Sequence, residues 1–208
     1  MADIKNVIWD LSEVLLTGIR GTGFKLAERH GIDPAATLAA TGFRNPLMLP
    51  AAWDFFHGKI SEDEYIAAVL EAFPMFGAPD WLKAFIRQNF REIEGTRGLL
   101  NRVRELGYRT ALLSVHGREW IDYCDAVHDF HFLFHVAAYS YEEGISKPEP
   151  EAFLGILKRL EAKPEECLFI DDSKKNIEAA QKLGIKAIQF VNAEMLESQL
   201  LYALPKFH

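Results

Sequence analysis

Asp10 closes an apolar run, Val7-Ile8-Trp9, and Ser12 and Glu13 follow it before apolar residues resume at Val14. Ser114 ends a second run, ALLS, and Asp171-Asp172 ends a third, LFIDD; Lys147 lies in GISKPEPEAF. If these runs are neighbouring strands of one sheet, carboxylates, a hydroxyl and an ammonium meet on one rim. Crowded carboxylates repel unless a cation neutralises them. A hard divalent ion with oxygen ligands fits, and Mg²⁺ works with a few protein ligands plus waters and a phosphate.

Those residues need a scaffold. Five short runs read as strands: Ile4–Asp10, Arg109–Val115, His135–Tyr141, Cys167–Asp172 and Lys186–Val191. Most are continuously apolar, which suits strands buried on both faces of a parallel sheet. Helical patterns separate the later runs. RGLLNRVRELG carries Leu99, Leu100, Val103 and Leu106 and can stop at Gly107; PEPEAFLGILKRLEA follows, and KKNIEAAQKLG stops at Gly184. Strand–helix alternation predicts an α/β fold, a doubly wound parallel five-stranded sheet whose ligands bind beyond the carboxyl ends of the strands.

The stretch between the first two runs is too long for one crossover and helical in pattern. SEDEYIAAVLEAF opens with a capping box, Ser61 and Glu64. PDWLKAFIRQNF puts Trp81, Leu82, Phe85, Ile86 and Phe90 on one stripe, and GFKLAERHG ends at Gly31. The core is therefore discontinuous, residues 1–16 and 94–208, with a helical insert over residues 17–93.

Composition narrows the partners. The 208 residues carry 23 Lys and Arg against 30 Asp and Glu, a net charge of −7. With no basic cluster, nucleic acid is not an expected partner. No apolar run approaches a membrane span and MADIKNVIWD has no signal-peptide pattern, so neither a membrane nor export is expected. Cys124 and Cys167 are far apart and read as free thiols in a reducing cytoplasm, the expected location; a monomer or homodimer is expected. His128, His131 and His135 invite a zinc reading, but Phe130, Phe132 and Phe134 alternate with them and core packing explains the pattern as well. GIRGTG, residues 18–23, lacks the Lys-Ser/Thr and strand context of a nucleotide loop and reads as a flexible hinge.

Taken in order, VIWDLSEVL, ALLS, GISKPEPEAF and LFIDDSKKNIEAA resemble the four motifs of the haloacid dehalogenase superfamily, in its phosphatase branch. The last two, with an amphipathic helix between them, are the most specific. WDFFHGKISEDEY also looks like the helices of that family's mobile cap. The resemblance implies a Mg²⁺-dependent hydrolase of a small phosphorylated metabolite. Asp10 would be the nucleophile, forming an aspartyl-phosphate. Asp10, Asp171, Asp172 and the backbone carbonyl of Ser12 would hold the metal. Ser114 and Lys147 would bind and neutralise the transferring phosphoryl group. Asn176 would orient Lys147 or a nearby loop, with His116 beside the substrate. Arg20, Arg44 and Trp53 of the cap are candidates to meet the organic part.

Two positions depart from the family pattern. The residue two after the nucleophile is usually an Asp that protonates the leaving oxygen; here it is Ser12. The next is usually Gly; here it is Glu13. General acid–base help is worth about 10²–10⁴-fold, so its loss favours acidic leaving groups unless Glu13 or His116 substitutes. Sugar-phosphate phosphatases of the family with Gly at that position keep activity possible. The rival readings are a 2-haloacid dehalogenase, which needs no metal and leaves Asp171-Asp172 unexplained, and a catalytically weak or silent binding protein that retains the fold.

Overall fold

The computed structural model describes residues 3–207. Five strands form one parallel sheet: β1 (Asn6–Trp9), β2 (Arg109–Ser114), β3 (Val136–Tyr139), β4 (Cys167–Asp171) and β5 (Lys186–Gln189), in the order β3-β2-β1-β4-β5. Five helices, α1 (Ile19–Arg29), α2 (Pro34–Thr41), α3 (Pro50–Phe56), α4 (Glu62–Ala72) and α5 (Pro79–Arg87), lie between β1 and β2. α6 (Thr96–Glu105) leads into β2, and α7 (Arg118–His128) and α8 (Ser140–Glu143) flank β3. α9 (Pro150–Leu160), α10 (Lys174–Lys182) and α11 (Ala193–Ala203) complete the chain, with short 3₁₀ turns at Pro74–Phe76, His131–Leu133 and Pro164–Glu166.

The strands are apolar on both faces because both are covered. Val7, Trp9, Leu112 and Ile170 face a core that also takes in Val103, Trp120 and Leu200. Ile8, Leu113 and Phe169 face a second core with Phe153, Ile156 and Ile177. β1 is central, pairing with β2 on one side and β4 on the other, so the chain reverses its direction of winding beside β1. That reversal opens a crevice at the carboxyl ends of β1 and β4, where Asp10 and Asp171 lie.

The strands are shorter than their apolar runs suggest. β3 stops at Tyr139 because Ser140 starts α8, and β1 stops at Trp9 although the Asp10 N–H still bonds Ile170 O at 2.9 Å. The capping box forms, Ser61 Oγ accepting from Glu64 N–H. α10 closes before Gly184, whose φ of +84° suits a residue without Cβ. Residues 18–23, expected to be a hinge, are the start of a helix. Gly18 caps α1 and the rest is its first turns, with Gly23 pressed against the Asn45 amide, 1.7 Å from where a Cβ would stand. The three histidines do not converge. His128 pairs with Phe90 O, His131 with Asp125 and the Tyr139 hydroxyl, and His135 accepts from Thr110 N–H.

The insert is fastened to the sheet domain by a packed seam. Trp120 of α7 meets Phe55, Phe56 and Tyr65 at ring separations of 4.8, 5.9 and 5.5 Å. Gly117 must lack a side chain here, since the Phe55 ring lies 2.0 Å from where its Cβ would be. The buried Glu62 carboxylate accepts from Trp120 Nε1 at 2.8 Å and pairs with Arg87, while Glu119 accepts from the Glu62 N–H at 3.2 Å. Ser140 Oγ donates to Phe56 O at 2.6 Å and accepts from His116 N–H at 3.1 Å.

Removing the carboxylate of Glu62 strands a buried indole N–H and a half-buried guanidinium. Glu62→Ala should cost roughly 2–4 kcal/mol, near the range for breaking a buried pair, read as a lower urea midpoint. Glu62→Gln keeps the acceptor for Trp120 and should cost less.

Candidate functional site

Asp10 leaves the sheet at the end of β1, where its Oδ1 turns back to accept the Leu11 N–H at 2.7 Å. Lys147 comes from the loop between α8 and α9 and ends between two carboxylates. Its Nζ lies 2.9 Å from Asp10 Oδ1 and 2.7 Å from Asp171 Oδ2, with its side chain only 1 % exposed. Asp171 is saturated: both oxygens accept from Asn176 Nδ2 at 3.0 Å, and Oδ1 accepts the Ser173 N–H at 2.8 Å. Its neighbour Asp172 points elsewhere, into a cavity it shares with Asp10, and pairs there with Arg20 at 2.8 Å.

The cavity has a volume of about 620 Å³. Asp10, Lys147, Asp172 and Asn176 line one end; Ser12 and Glu13 flank them, and the opposite wall comes from α1, α3 and the segment before α3. Ser114 is not on its wall. It is 1 % exposed, and its Oγ is buried with no hydrogen-bond partner among the described residues. A buried hydroxyl without a partner costs free energy; it borders a separate cavity of about 20 Å³ with Leu113, Ala138 and Ser140, so the expected contact with a phosphoryl group beside Asp10 is not made from this position.

Burial sets the electrostatics. It pushes the Asp10 carboxyl well above the usual carboxylate range; Lys147 opposes, while Asp171 and Asp172 push further the same way. Burial also works against the Lys147 ammonium, but Asp10 and Asp171 outweigh it and hold its pKa above the ordinary lysine value. Burial likewise raises Asp172 and Glu13, with Arg20 opposing in both cases.

Asp10, Asp171 and Asp172 bring oxygens within 4.8 Å of one another. Against these three carboxylates stand Lys147 and, from the insert, Arg20. The guanidinium neutralises Asp172. Hard oxygen donors with an excess of negative charge suit a divalent ion of the Mg²⁺ kind.

Ser12 and Glu13 shape the rim. Glu13 has φ +62°, the left-handed region that glycine adopts without strain, which accounts for the usual Gly of the resembling motif. The Glu13 carboxylate is held at the Gly18 N–H, 3.2 Å away. His116 lines the cavity but is packed edge-on against Phe90 and Trp120, at 5.4 and 5.5 Å. Burial lowers its pKa to about 4, so it is neutral at pH 7 and poorly placed to supply a proton.

Sequence reasoning placed Arg20 among the substrate contacts; the structure sets it on Asp172. It missed Phe24, Phe43, Met48, Phe56 and Trp120 on the cavity wall. Their sequence signal is that of core residues, and only the docking of the insert turns them towards Asp10.

A family model for haloacid dehalogenase-like hydrolases matches residues 4–184. The chain is 32% identical to the D-ribitol-5-phosphate phosphatase of Bacteroides thetaiotaomicron, over 97% of this chain and 98% of that protein. It is 30% identical to the glyceraldehyde 3-phosphate phosphatase of Pyrococcus furiosus, over 54% of this chain, and spans only 47% of that protein. A crystal structure of a HAD-family enzyme from Bacteroides thetaiotaomicron superposes with TM-score 0.78 at 22% identity, covering 96% of this chain and 99% of that one. Another structure of that enzyme holds magnesium and inorganic phosphate, at TM-score 0.71 and 24% identity, covering 91% and 95%. Among the described residues no helix is long and apolar enough to cross a membrane.

The His116 shift predicts a pH effect on stability. The unfolded chain takes up the proton near pH 6.5, the ordinary histidine value, and the folded chain only near 4. More protons bind to the unfolded chain in that window, so stability falls as pH drops through it. The full shift is worth roughly 3 kcal/mol at about 1.4 kcal/mol per unit. The loss of urea stability between pH 7 and pH 5 should be smaller in His116→Asn than in wild type. An equal loss in both proteins refutes the buried neutral imidazole.

Proposed function

Since the chain belongs to the haloacid dehalogenase-like hydrolases, we propose that it hydrolyses the phosphomonoester of a small metabolite. One observation carries the reading: Asp10 opens into a 620 Å³ cavity with a buried Lys147 ammonium 2.9 Å from its Oδ1. An oxygen of Asp10 attacks phosphorus, the bond from phosphorus to the ester oxygen breaks, and an aspartyl-phosphate forms. Water then attacks that phosphorus, releasing inorganic phosphate and restoring the carboxylate. Lys147 offsets negative charge on Asp10 and the phosphoryl group throughout. Residues 17–93 act as the cap that excludes water.

Asp10, Asp172 and the Ser12 carbonyl are the proposed Mg²⁺ ligands. Bound there, the ion supplies charge neutralisation that keeps Asp10 ionised and eases the approach of an anionic substrate. Asp171 is better read as the residue that positions Lys147, since Lys147, Asn176 and the Ser173 N–H use its oxygens. The dehalogenase reading gains nothing from likeness to solved dehalogenases, which at 14–16% identity is a likeness of fold alone.

A metabolite-panel phosphatase assay, with and without Mg²⁺, tests the reading. Turnover should require Asp10, and Asp10→Asn should abolish it while leaving the circular dichroism spectrum intact. Turnover by purified, folded Asp10→Asn would falsify the aspartyl-phosphate route. Calorimetry on the wild type should detect Mg²⁺. Asp172→Asn should weaken binding at least tenfold, whereas Arg20→Gln, which vacates Asp172, should tighten it.

Leaving-group dependence follows from Ser12, whose hydroxyl is too weak an acid to protonate a departing alkoxide. Wild type should treat p-nitrophenyl phosphate far better than a sugar phosphate. Ser12→Asp should raise kcat/KM for the sugar phosphate by up to about 10²-fold and change the aryl ester much less. The gain is limited by Glu13, whose left-handed backbone and contact with Gly18 fix the loop beside it.

A further inference from the structure

We propose that the ester this cavity accepts carries a flat aromatic body rather than a polyol or an open-chain sugar. The proposal rests on the phosphatase reading and adds the substrate class. A cavity of about 620 Å³ holds much more than a phosphoryl group and lies within the range of about 300–1,000 Å³ common for ligand sites. The room beyond Asp10 is bounded by Ile19, Phe24, Phe43, Met48, Trp53 and Phe56. None of these side chains offers a partner to an aliphatic hydroxyl except the Trp53 indole N–H. Burying a polyol against them would leave hydroxyl after hydroxyl unsatisfied.

The polar groups of this wall are already engaged. The Asn45 amide donates to Ile19 O at 3.1 Å and Arg20 O at 3.3 Å, and its Oδ1 accepts from Leu47 N–H at 2.9 Å. Arg20 is held by Asp172. Arg44 and Lys175 are donors with no acceptor capacity, and the acceptors of the lining, Ser12, Glu13, His116, Ser173 and Asn176, all follow β1, β2 or β4 rather than standing on the insert's helices. A sugar site needs acceptors as well as donors, and among the described residues the insert's side of the cavity offers only the engaged Asn45 oxygen.

The aromatic residues form a continuous run towards the phosphoryl end. Trp53 meets Phe56 at 6.2 Å, Phe56 meets Trp120 at 5.9 Å, and Trp120 meets His116 at 5.5 Å. His116 is neutral and joins the run as a ring rather than as a cation. At the open end, Trp53 is 38% exposed and Phe24 is 44% exposed. Large apolar side chains at the mouth of a cavity mark a surface that a partner covers. Aromatic faces and edges favour another ring in offset or edge-on geometry over an aliphatic chain of the same area.

The test separates the body of the substrate from its leaving group. Pyridoxal 5′-phosphate and flavin mononucleotide carry aromatic bodies; ribose 5-phosphate and ribitol 5-phosphate do not. All four are primary alkyl phosphates, so the missing acid at Ser12 handicaps them alike. The expected result is kcat/KM at least tenfold higher for one or both aromatic esters, with that ratio falling towards one in Trp53→Ala and Phe24→Ala. Acetyl phosphate, hydrolysed in an Asp10-dependent way, reports on the chemistry alone. If acetyl phosphate is hydrolysed but the polyol and sugar esters match or exceed the aromatic ones, the substrate class is overturned and the phosphatase reading stands. If nothing is hydrolysed, the phosphatase reading falls, and calorimetry of the same four esters on Asp10→Asn with Mg²⁺ decides the wall. Tighter aromatic binding supports it; equal or weaker aromatic binding overturns it.

Discussion

A single ammonium governs the architecture of the site. Lys147 is wedged between Asp10 and Asp171 with almost no access to water. Two carboxylates buried this close would otherwise repel strongly, and a lone buried ammonium would be as costly. Each charge is tolerated only because the others are present and hydrogen-bonded. Asn176 and the Ser173 N–H complete the set by fixing Asp171 from the start of α10. The loop carrying Lys147, the strand tips of β1 and β4, and the first turn of α10 are thereby locked into one arrangement. The β3-β2-β1-β4-β5 order is what allows this, since it sets β4 directly beside β1.

Seen from that cluster, the helical insert does two things. It closes the cavity with a wall of apolar rings, and it sends one cation, Arg20, across to Asp172. The second contact links the insert to the charge balance of the site. Through Arg20 the start of α1 is tied by charge to Asp172. The rest of the seam is firmer: the rings packed edge-on around Trp120 and the buried Glu62 fasten the insert to α7.

The loop after Asp10 has an unusual economy. A residue with a side chain sits in the left-handed region, at a cost of about 1–3 kcal/mol for a strained backbone. The Glu13 carboxylate recovers part of this at the Gly18 N–H, which ties the motif loop to the start of α1. Glu13 thus acts as a strut between the loop after Asp10 and the insert. Beside it Ser12 brings no acid, the Glu13 carboxylate is held at Gly18 and His116 is buried among rings.

Much of the fold was legible in the residues themselves. Continuous apolar runs fixed the five strands, the Ser61–Glu64 box and Gly184 fixed helix ends, and the carboxylates at strand tips marked the site, because period, capping and strand-end chemistry are local properties. Asp10, Lys147, Asp172 and Asn176 were recognised from their motifs and do meet at one end of the cavity. What the chain order left open was anything that depends on how two separately folded layers dock. Whether Asp171 or Asp172 faces the cavity, whether Arg20 meets substrate or a carboxylate, whether His116 is wet or buried among rings, and which of the insert's aromatics form its core and which the cavity wall were settled only by tertiary packing. A phenylalanine has the same pattern on a buried face as on a ligand wall; the difference is made by the surface brought opposite it, which lies many residues away in the chain.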